Sequence, residues 1–420
     1  MITNHTLDNG LRVAVEPQKN ASSVSLNLLI PGGCAHDDDR NDGCAVLLHE
    51  MLLRGTKSLS SRNLSDSLDA AGMQRGGAAG RRMMRMSATT THDKIAEAIP
   101  LLFDMVISPR LDAEELPHAR ALALQSLAHL TDDPEEEATL TTLFRHLFRP
   151  FHRTCLGSAS GLEATDVSAL QLRHQDTIRP DGAILAIAGR CEPDDIIQIT
   201  ELATHGWVGA CNPPTPIEPG PRGKVLTIRP TSQVHLAMAW DAPQANDEDC
   251  LGYRLLMTAL GGTTSGRLFT EIRQRRSLCY AIGTSTTSTR DAGWCLLRAG
   301  TTPQHAHTLV ETACEEVSRI AQDLTDEEFE RARRSTMSAL VLQGESTRAR
   351  ARHIAADLYD RGTCRTLEDR LNELQSLDLE AVKAAGAAWP LENATMVAIG
   401  PEDSLPWDVL DPLRTSEGHD

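Results

Sequence analysis

Ser22-Ser-Val-Ser-Leu-Asn-Leu-Leu-Ile30 alternates along its length, and about 210 residues later Ser232-Gln-Val-His-Leu-Ala-Met-Ala-Trp240 does the same. A period of two puts one face of a strand on a core and the other toward a polar surface. Each segment runs into an acid-rich loop and then a helix, expected over residues 43–53 in the first half and near 249–260 in the second. The halves also end alike: Ala183-Ile-Leu-Ala-Ile-Ala-Gly189 pairs with Ala394-Thr-Met-Val-Ala-Ile-Gly400. Between them lies Asn212-Pro-Pro-Thr-Pro-Ile-Glu-Pro-Gly-Pro-Arg-Gly223, whose prolines remove backbone donors and stiffen the chain into an extended linker. Helical tracts at 93–107, 112–130, 305–323 and 325–345 are interleaved with the strands. The expected fold is α+β: two similar domains from an internal repeat, at 1–211 and 224–420, each a mixed β-sheet with helices, joined by the Pro-rich segment 212–223.

Composition narrows the function classes. The 420 residues are 40% hydrophobic and 24% charged, as in ordinary globular domains. No apolar run approaches the ~20 residues of a membrane span, so no membrane partner is expected. The opening MITNHTLDNGLRVAVEP lacks the basic and apolar segments of a secretory signal. A net charge of −17 argues against nucleic acid. The ten cysteines form no Cys-x-x-Cys pair, which points to reduced thiols and a cytoplasmic location.

The stretch Val46-Leu-Leu-His-Glu-Met-Leu-Leu-Arg-Gly-Thr56 holds a His49-Glu50 pair of the kind that opens zinc-peptidase helices. The forward motif His-x-x-x-His with an inner glutamate would need a second histidine where Leu53 stands. The reversed motif His-x-x-Glu-His needs the opposite order of the pair. Adjacent helical residues also diverge by about 100° and do not face one ion in the manner of either motif. Read by itself, the stretch is a half-buried helix carrying a polar pair.

The strand Thr6–Val13, the loop GGCAHDDDRNDG, the helix ending MLLRGT and the later GGTTSGRLFTEIRQRRSLCY together resemble the pitrilysin/insulinase zinc peptidases. The likeness is greater to their short branch, which includes the mitochondrial processing peptidase subunits. It runs in order from about residue 6 to about residue 401 and recurs in both halves. It implies that two such chains enclose a peptide-sized chamber. Aligned on Met51–Thr56, the metal-motif positions hold Val46, His49 and Glu50 for first ligand, base and second ligand, and the third ligand falls at Ser126. Valine and serine are not zinc donors, so no metal and no cofactor is expected in this chain; spacing gives no support to a substitute site of Glu50 with His92 or His129. Arg273 and Tyr280 match the Arg/Tyr pair with which active members hold the substrate backbone and its developing oxyanion. Apart from the resemblance, Arg273 reads as one of three surface arginines and Tyr280 as a strand residue packed on a helix. Gly261 and Gly262 match a mobile loop at the chamber mouth, or end a helix.

Other motifs carry less. His305 and His307 read as solvated, DLTDEEFERARR as an exposed helix whose charges complement its dipole, and GMQRGGAAGRRMMRM as a strand hairpin or a solvated loop. The reading is a substrate-binding subunit of a heterodimeric zinc endopeptidase, inactive alone, whose partners are a peptide and a homologous zinc-bearing subunit with an intact His-x-x-Glu-His. The alternative is a non-enzymatic scaffold or peptide-binding protein of the same fold.

Overall fold

The computed structural model describes residues 1–401, so the end of the expected second domain lies outside the described residues. One sheet is built from β1 (Thr3–Thr6), β2 (Arg12–Pro17), β3 (Ser23–Pro31), β4 (Gln74–Ala79), β5 (Met83–Thr91) and β6 (Ile184–Gly189). Its order is β1-β2-β6-β3-β5-β4. A second sheet is built from β7 (Gly223–Ile228), β8 (Val234–Asp241), β9 (Cys279–Ser288), β10 (Gly293–Thr301) and β11 (Thr395–Gly400), in the order β7-β11-β8-β10-β9. The second order is the first without β1. In both, the strand that closes the half, β6 or β11, pairs parallel to one neighbour and antiparallel to the other. The two alternating segments of the sequence are β3 and β8, at equivalent places, so the fold is α+β with two mixed sheets.

Each sheet buries both faces near its centre. All six residues of β6 and all six of β11 are buried. One face of the first sheet, through Val24, Leu26, Leu28 and Leu185, packs against the helices Cys44–Leu52 and Ile95–Ile107. The opposite face, through Ala14, Ile184, Ala186 and Ala188, is covered by Ala351, Ile354, Ala355 and Leu358 of the helix Thr347–Arg361. In the second sheet Ala237, Ala239, Val397 and Ile399 are covered by Ala138 and Leu143 of the helix Pro134–His146.

These two helices come from the opposite half of the sequence. The compact units are therefore residues 1–129, 149–217 and 342–366 in one case, and 130–148, 218–341 and 367 onward in the other. They differ from the contiguous domains 1–211 and 224–420 expected from the repeat. The reason is physical: a central strand apolar on both faces requires two layers of cover, and one half of the repeat supplies only one. Local signals start both covering helices. Asp133 accepts the Glu136 N–H at 3.1 Å, with three glutamates in the first turn and Arg145 and His146 in the last. Ser346 accepts the Ala349 N–H at 3.3 Å, and Gly362 at φ 77° closes the helix. The linker has no regular element between Cys211 and Arg222, and the boundary between units falls within it. Among the described residues no helix is long and apolar enough to cross a membrane.

The covering helix of the first unit is tied to its sheet by a buried ion pair. Arg350 donates from Nε to Glu16 Oε2 at 2.7 Å and from Nη2 to Oε1, and the two side chains are only 4% and 12% exposed. Removing the carboxylate charge leaves a guanidinium stranded in a low-dielectric site. Glu16→Gln is expected to cost about 2–4 kcal/mol in urea denaturation, and Glu16→Met combined with Arg350→Met to cost less than the single change.

Candidate functional site

The helix Cys44–Leu52 starts without a side-chain cap on its own N-cap residue, Gly43, which sits at φ 112°. Asp37 takes that part instead, accepting the Gly43 N–H at 3.1 Å and the Ala45 N–H at 3.2 Å while paired with Arg173. Burial pushes the Asp37 carboxyl up to about 6, against the pull of Arg173 and the two amides.

The helix shows its apolar face to the core, and its 3.6-residue period sets where the motif positions fall. Val46 is half-buried, His49 is 5% exposed and Glu50 is half-buried. His49 Nδ1 lies 3.8 Å from Glu50 Oε1, and this neighbour lowers the Glu50 pKa against the effect of burial. His49 Nε2 is buried, has no hydrogen-bond partner among the described residues, and faces β4. A side chain at Gly77 would put its Cβ 2.6 Å from that nitrogen and 2.3 Å from the Arg85 carbonyl oxygen, so β4 approaches the imidazole through a glycine.

A catalytic zinc needs three protein donors and an open position. Val46 offers no donor. Ser126, exposed on the helix Leu116–Thr131, gives its hydroxyl to the Leu122 carbonyl at 3.1 Å. His92 and His129 are both exposed. Among the described residues no three His, Cys, Asp or Glu side chains come together in a way that holds a metal ion. The donor set present, one buried imidazole turned toward a strand and one carboxylate, does not fit a catalytic zinc.

In the second unit the glycine-rich stretch is helical. The helix Cys250–Met257 continues into a widened π turn, Thr258–Gly262, so Gly261 and Gly262 end a helix, the second of the two readings their sequence allowed. A Cβ at Gly261 would stand 2.9 Å from Thr284 Oγ1, which is how this turn packs tightly on β9. A second π-helical segment, Phe269–Arg275, carries Arg273 on its exposed side with the guanidinium 4.7 Å above the Phe269 ring. Ser277 follows in the left-handed region at φ 54° and turns the chain into β9.

Tyr280 stands at an irregularity of that strand. Cys279 pairs with Thr301 and Ala281 with Gly300, which leaves Tyr280 as the extra residue of a β-bulge on an edge strand. Bulges re-aim side chains, and this one leaves Tyr280 71% exposed in a chain with three tyrosines. Tyr280 thus does not pack on a helix, the plain reading of its strand position. His305 and His307 are exposed, as their pattern suggests, and the stretch rich in glycine and arginine forms the β4–β5 hairpin.

Sequence reasoning missed the clamp that holds the Arg273 segment. Arg267 donates from Nε to Glu328 Oε1 at 2.8 Å and from Nη2 to Oε2 at 2.6 Å, and also pairs with Asp323. Glu328 in turn accepts the Thr325 N–H at 3.0 Å. The Arg-Leu-Phe stretch and the Thr-Asp-Glu-Glu helix start are both visible in the sequence, but nothing in either shows that they meet.

The "Insulinase (Peptidase family M16)" model matches residues 12–156 and the "Peptidase M16 inactive domain" model matches residues 166–336. An uncharacterized zinc protease of Bacillus subtilis, YmxG, is 24% identical over 413 residues, covering 97% of this chain and 100% of its own. An uncharacterized zinc protease of Mycobacterium tuberculosis, Rv2782c, is 25% identical over 410 residues, covering 95% and 93%. Among solved structures, a peptidase M16 inactive domain from Pseudomonas fluorescens superposes with a TM-score of 0.86 at 20% identity, over 96% of this chain and 99% of that one. A chain of complex III2 from Candida albicans superposes at 0.80 with 17% identity, over 99% and 98%.

The clamp has a pH signature. Burial would raise the Glu328 carboxyl, but Arg267 and the Thr325 amide hold it at about 2 against an ordinary 4.5. A depressed carboxylate stabilises the fold fully above about pH 4.5 and loses that contribution as pH falls toward 2. The stability difference between wild type and Glu328→Gln, measured by urea denaturation, is expected to be about 2–3 kcal/mol at pH 6 and to shrink as pH is lowered through that window.

Proposed function

The chain belongs to the insulinase family of M16 peptidases, and from that premise we propose that it is the metal-free, substrate-binding subunit of a two-chain zinc endopeptidase. The observation that carries this reading is the contrast between its two sites. The metal-motif positions hold Val46 and Ser126, while Arg273 and Tyr280 stand exposed on structured elements of the second unit. A homologous subunit with an intact His-x-x-Glu-His supplies the zinc and the general base. This chain supplies the guanidinium of Arg273 and the phenol of Tyr280.

Both groups are hydrogen-bond donors suited to a peptide carbonyl that gains negative charge during attack. Arg273 offers a planar fork of charged N–H groups, and its place over the Phe269 ring limits the rotamers it must give up on binding. Tyr280 offers a single O–H from a bulged edge strand. Donors placed where charge develops stabilise the transition state more than the ground state and therefore act on kcat.

Three experiments test this. The chain purified alone and dialysed is expected to hold far less than one zinc per molecule by elemental analysis, and to form a heterodimer with a zinc-bearing homologue on size-exclusion chromatography, since obligate interfaces bury about 2,000 Å² or more. Stoichiometric zinc in this chain, or no association at micromolar concentration, overturns the proposal, the second result in favour of a scaffold. In the reconstituted heterodimer, Tyr280→Phe is expected to lower kcat by roughly 30-fold to 1,000-fold, equivalent to about 2–4 kcal/mol, with folding and association unchanged. Arg273→Lys is expected to be damaging as well, because an ammonium keeps the charge but loses the fork. His49→Ala is expected to change turnover little beyond any loss of stability.

A further inference from the structure

None of the ten cysteines, all of them within the described residues, is in a disulfide, and none stands in a Cys-x-x-Cys pair in the sequence. The fold nevertheless brings two of them into contact. Cys34 and Cys155, 121 residues apart, have their sulfurs 3.1 Å from one another. Cys34 follows β3, and its backbone is held against the β4–β5 turn: its N–H donates to the Gly80 carbonyl at 2.9 Å, and the next N–H, of Ala35, to that of Arg81 at 2.8 Å. Its side chain is 2% exposed.

Cys155 lies in the stretch between the helices Pro134–His146 and Ala159–Ala164, which has turns but no regular element. Its flanks are tied down. Arg153 pairs with Asp39 and, at 3.5 Å, with Asp42; Ser158 donates its N–H to the Asp42 carbonyl at 3.2 Å; and Arg82 sits 3.5 Å above the Phe151 ring. Cys155 is half-buried and packs against the cluster of Cys34, Ala45 and Ala79, of which Ala45 lies on the first turn of the helix that carries His49. Among the described residues no third His, Cys, Asp or Glu side chain joins the pair in a cluster that could hold a metal ion.

We propose that Cys34 and Cys155 form a thiol–disulfide exchange site that reacts with low-molecular-weight disulfides, oxidised glutathione being representative, and stores the oxidising equivalents as an intramolecular disulfide. The inference is independent of the proposed peptidase role. Cys155 is the attacking sulfur because it is the more accessible of the two, and because hydrogen bonding with Cys34 lowers its pKa and favours its thiolate. That thiolate attacks one sulfur of the small disulfide, whose S–S bond breaks and releases one thiolate, leaving a mixed disulfide on Cys155. Cys34 then gives its proton to the departing thiolate or to solvent and attacks Cys155 Sγ, breaking the mixed disulfide and releasing the second small thiol. In sum two protein thiols lose two electrons and two protons, and one small disulfide becomes two thiols. The sulfurs need to close from 3.1 Å to about 2.05 Å, a movement within reach of a χ1 adjustment of Cys155 on its irregular segment. The bond would close a loop through 121 residues of chain and fasten the residues around the start of the helix Cys44–Leu52.

The test is equilibration of the full chain in glutathione buffers of rising oxidised-to-reduced ratio, followed by acid quench, alkylation and peptide mass spectrometry. The expected product is a peptide pair joined through Cys34 and Cys155 and cleaved by reductant, with the oxidised protein melting about 5–15 °C above the reduced one. Cys34→Ser is expected to stop at a glutathione adduct on Cys155, and Cys155→Ser to leave Cys34 without an adduct. The wild-type experiment stands without either variant. Alkylation of both cysteines at every ratio overturns the proposal. So does an adduct on wild-type Cys155 that never advances to the cross-link, or oxidation distributed among the other cysteines.

Discussion

The two strands β6 and β11 are apolar on both faces, and the rest of the architecture follows from covering them. Burying a Leu or Ile side chain is worth about 1.5–3 kcal/mol, so a central strand left bare on one side would forfeit several such contributions and expose a continuous apolar surface. The helices adjacent in sequence occupy one face. The other face is filled by Ala351, Ile354 and Leu358 in one unit and by Ala138 and Leu143 in the other, each on a helix from the opposite half of the chain. Covalent exchange of these segments makes neither half of the repeat a complete unit. The alanines on both sides of the contacts, such as Ala186 against Ala355, are what let a helix lie close on the sheet.

With the sheet centres committed to packing, chemistry moves to their edges. The equivalent edge strands β4 and β9 have been used in opposite ways. β4 is thinned by Gly76 and Gly77, and the latter admits the buried imidazole of His49. β9 carries a bulge that throws Tyr280 outward, preceded by a left-handed Ser277 and a π-helical segment bearing Arg273. Each of these three irregularities costs something relative to regular structure, and they fall within about ten residues of one another. The Arg267 clamp to Glu328 and Asp323 holds one end of this run, so the irregular backbone is supported by charge-assisted hydrogen bonds.

The net charge of −17 takes on a local meaning in the same terms. Many of the acids are committed: Asp37 to the N–H groups that open the Cys44–Leu52 helix, Glu16 to Arg350, and Asp241 to Arg222 and His146. Burial would raise the Asp241 carboxyl, yet His146 and Arg222 hold it at about 2. These pairs position helices and strand ends.

The sequence by itself determined the repeat, the strands β3 and β8 though not the burial of both their faces, the helices after them, the linker near residue 217, and the residue types at 46, 49, 50, 126, 273 and 280. All of these rest on short-range periodicity or on identity at a position, which a linear string carries in full. The two covering helices were not among the tracts expected from the sequence, although their caps, Asp133 and Ser346, act within three residues. Only the tertiary structure decided which half supplies the second cover of each sheet, that Gly261 and Gly262 sit in a helical turn, that Tyr280 is bulged out, and that Arg267 meets Glu328. It also brought Cys34 and Cys155 together. The reason is common to all of these. Each depends on contacts between residues distant in the chain or on a register shift of one residue, and apolar pattern is degenerate to both: Ala351 and Ala138 satisfy a helix pattern equally well whichever sheet they cover, and an alternating strand reads the same with or without a bulge.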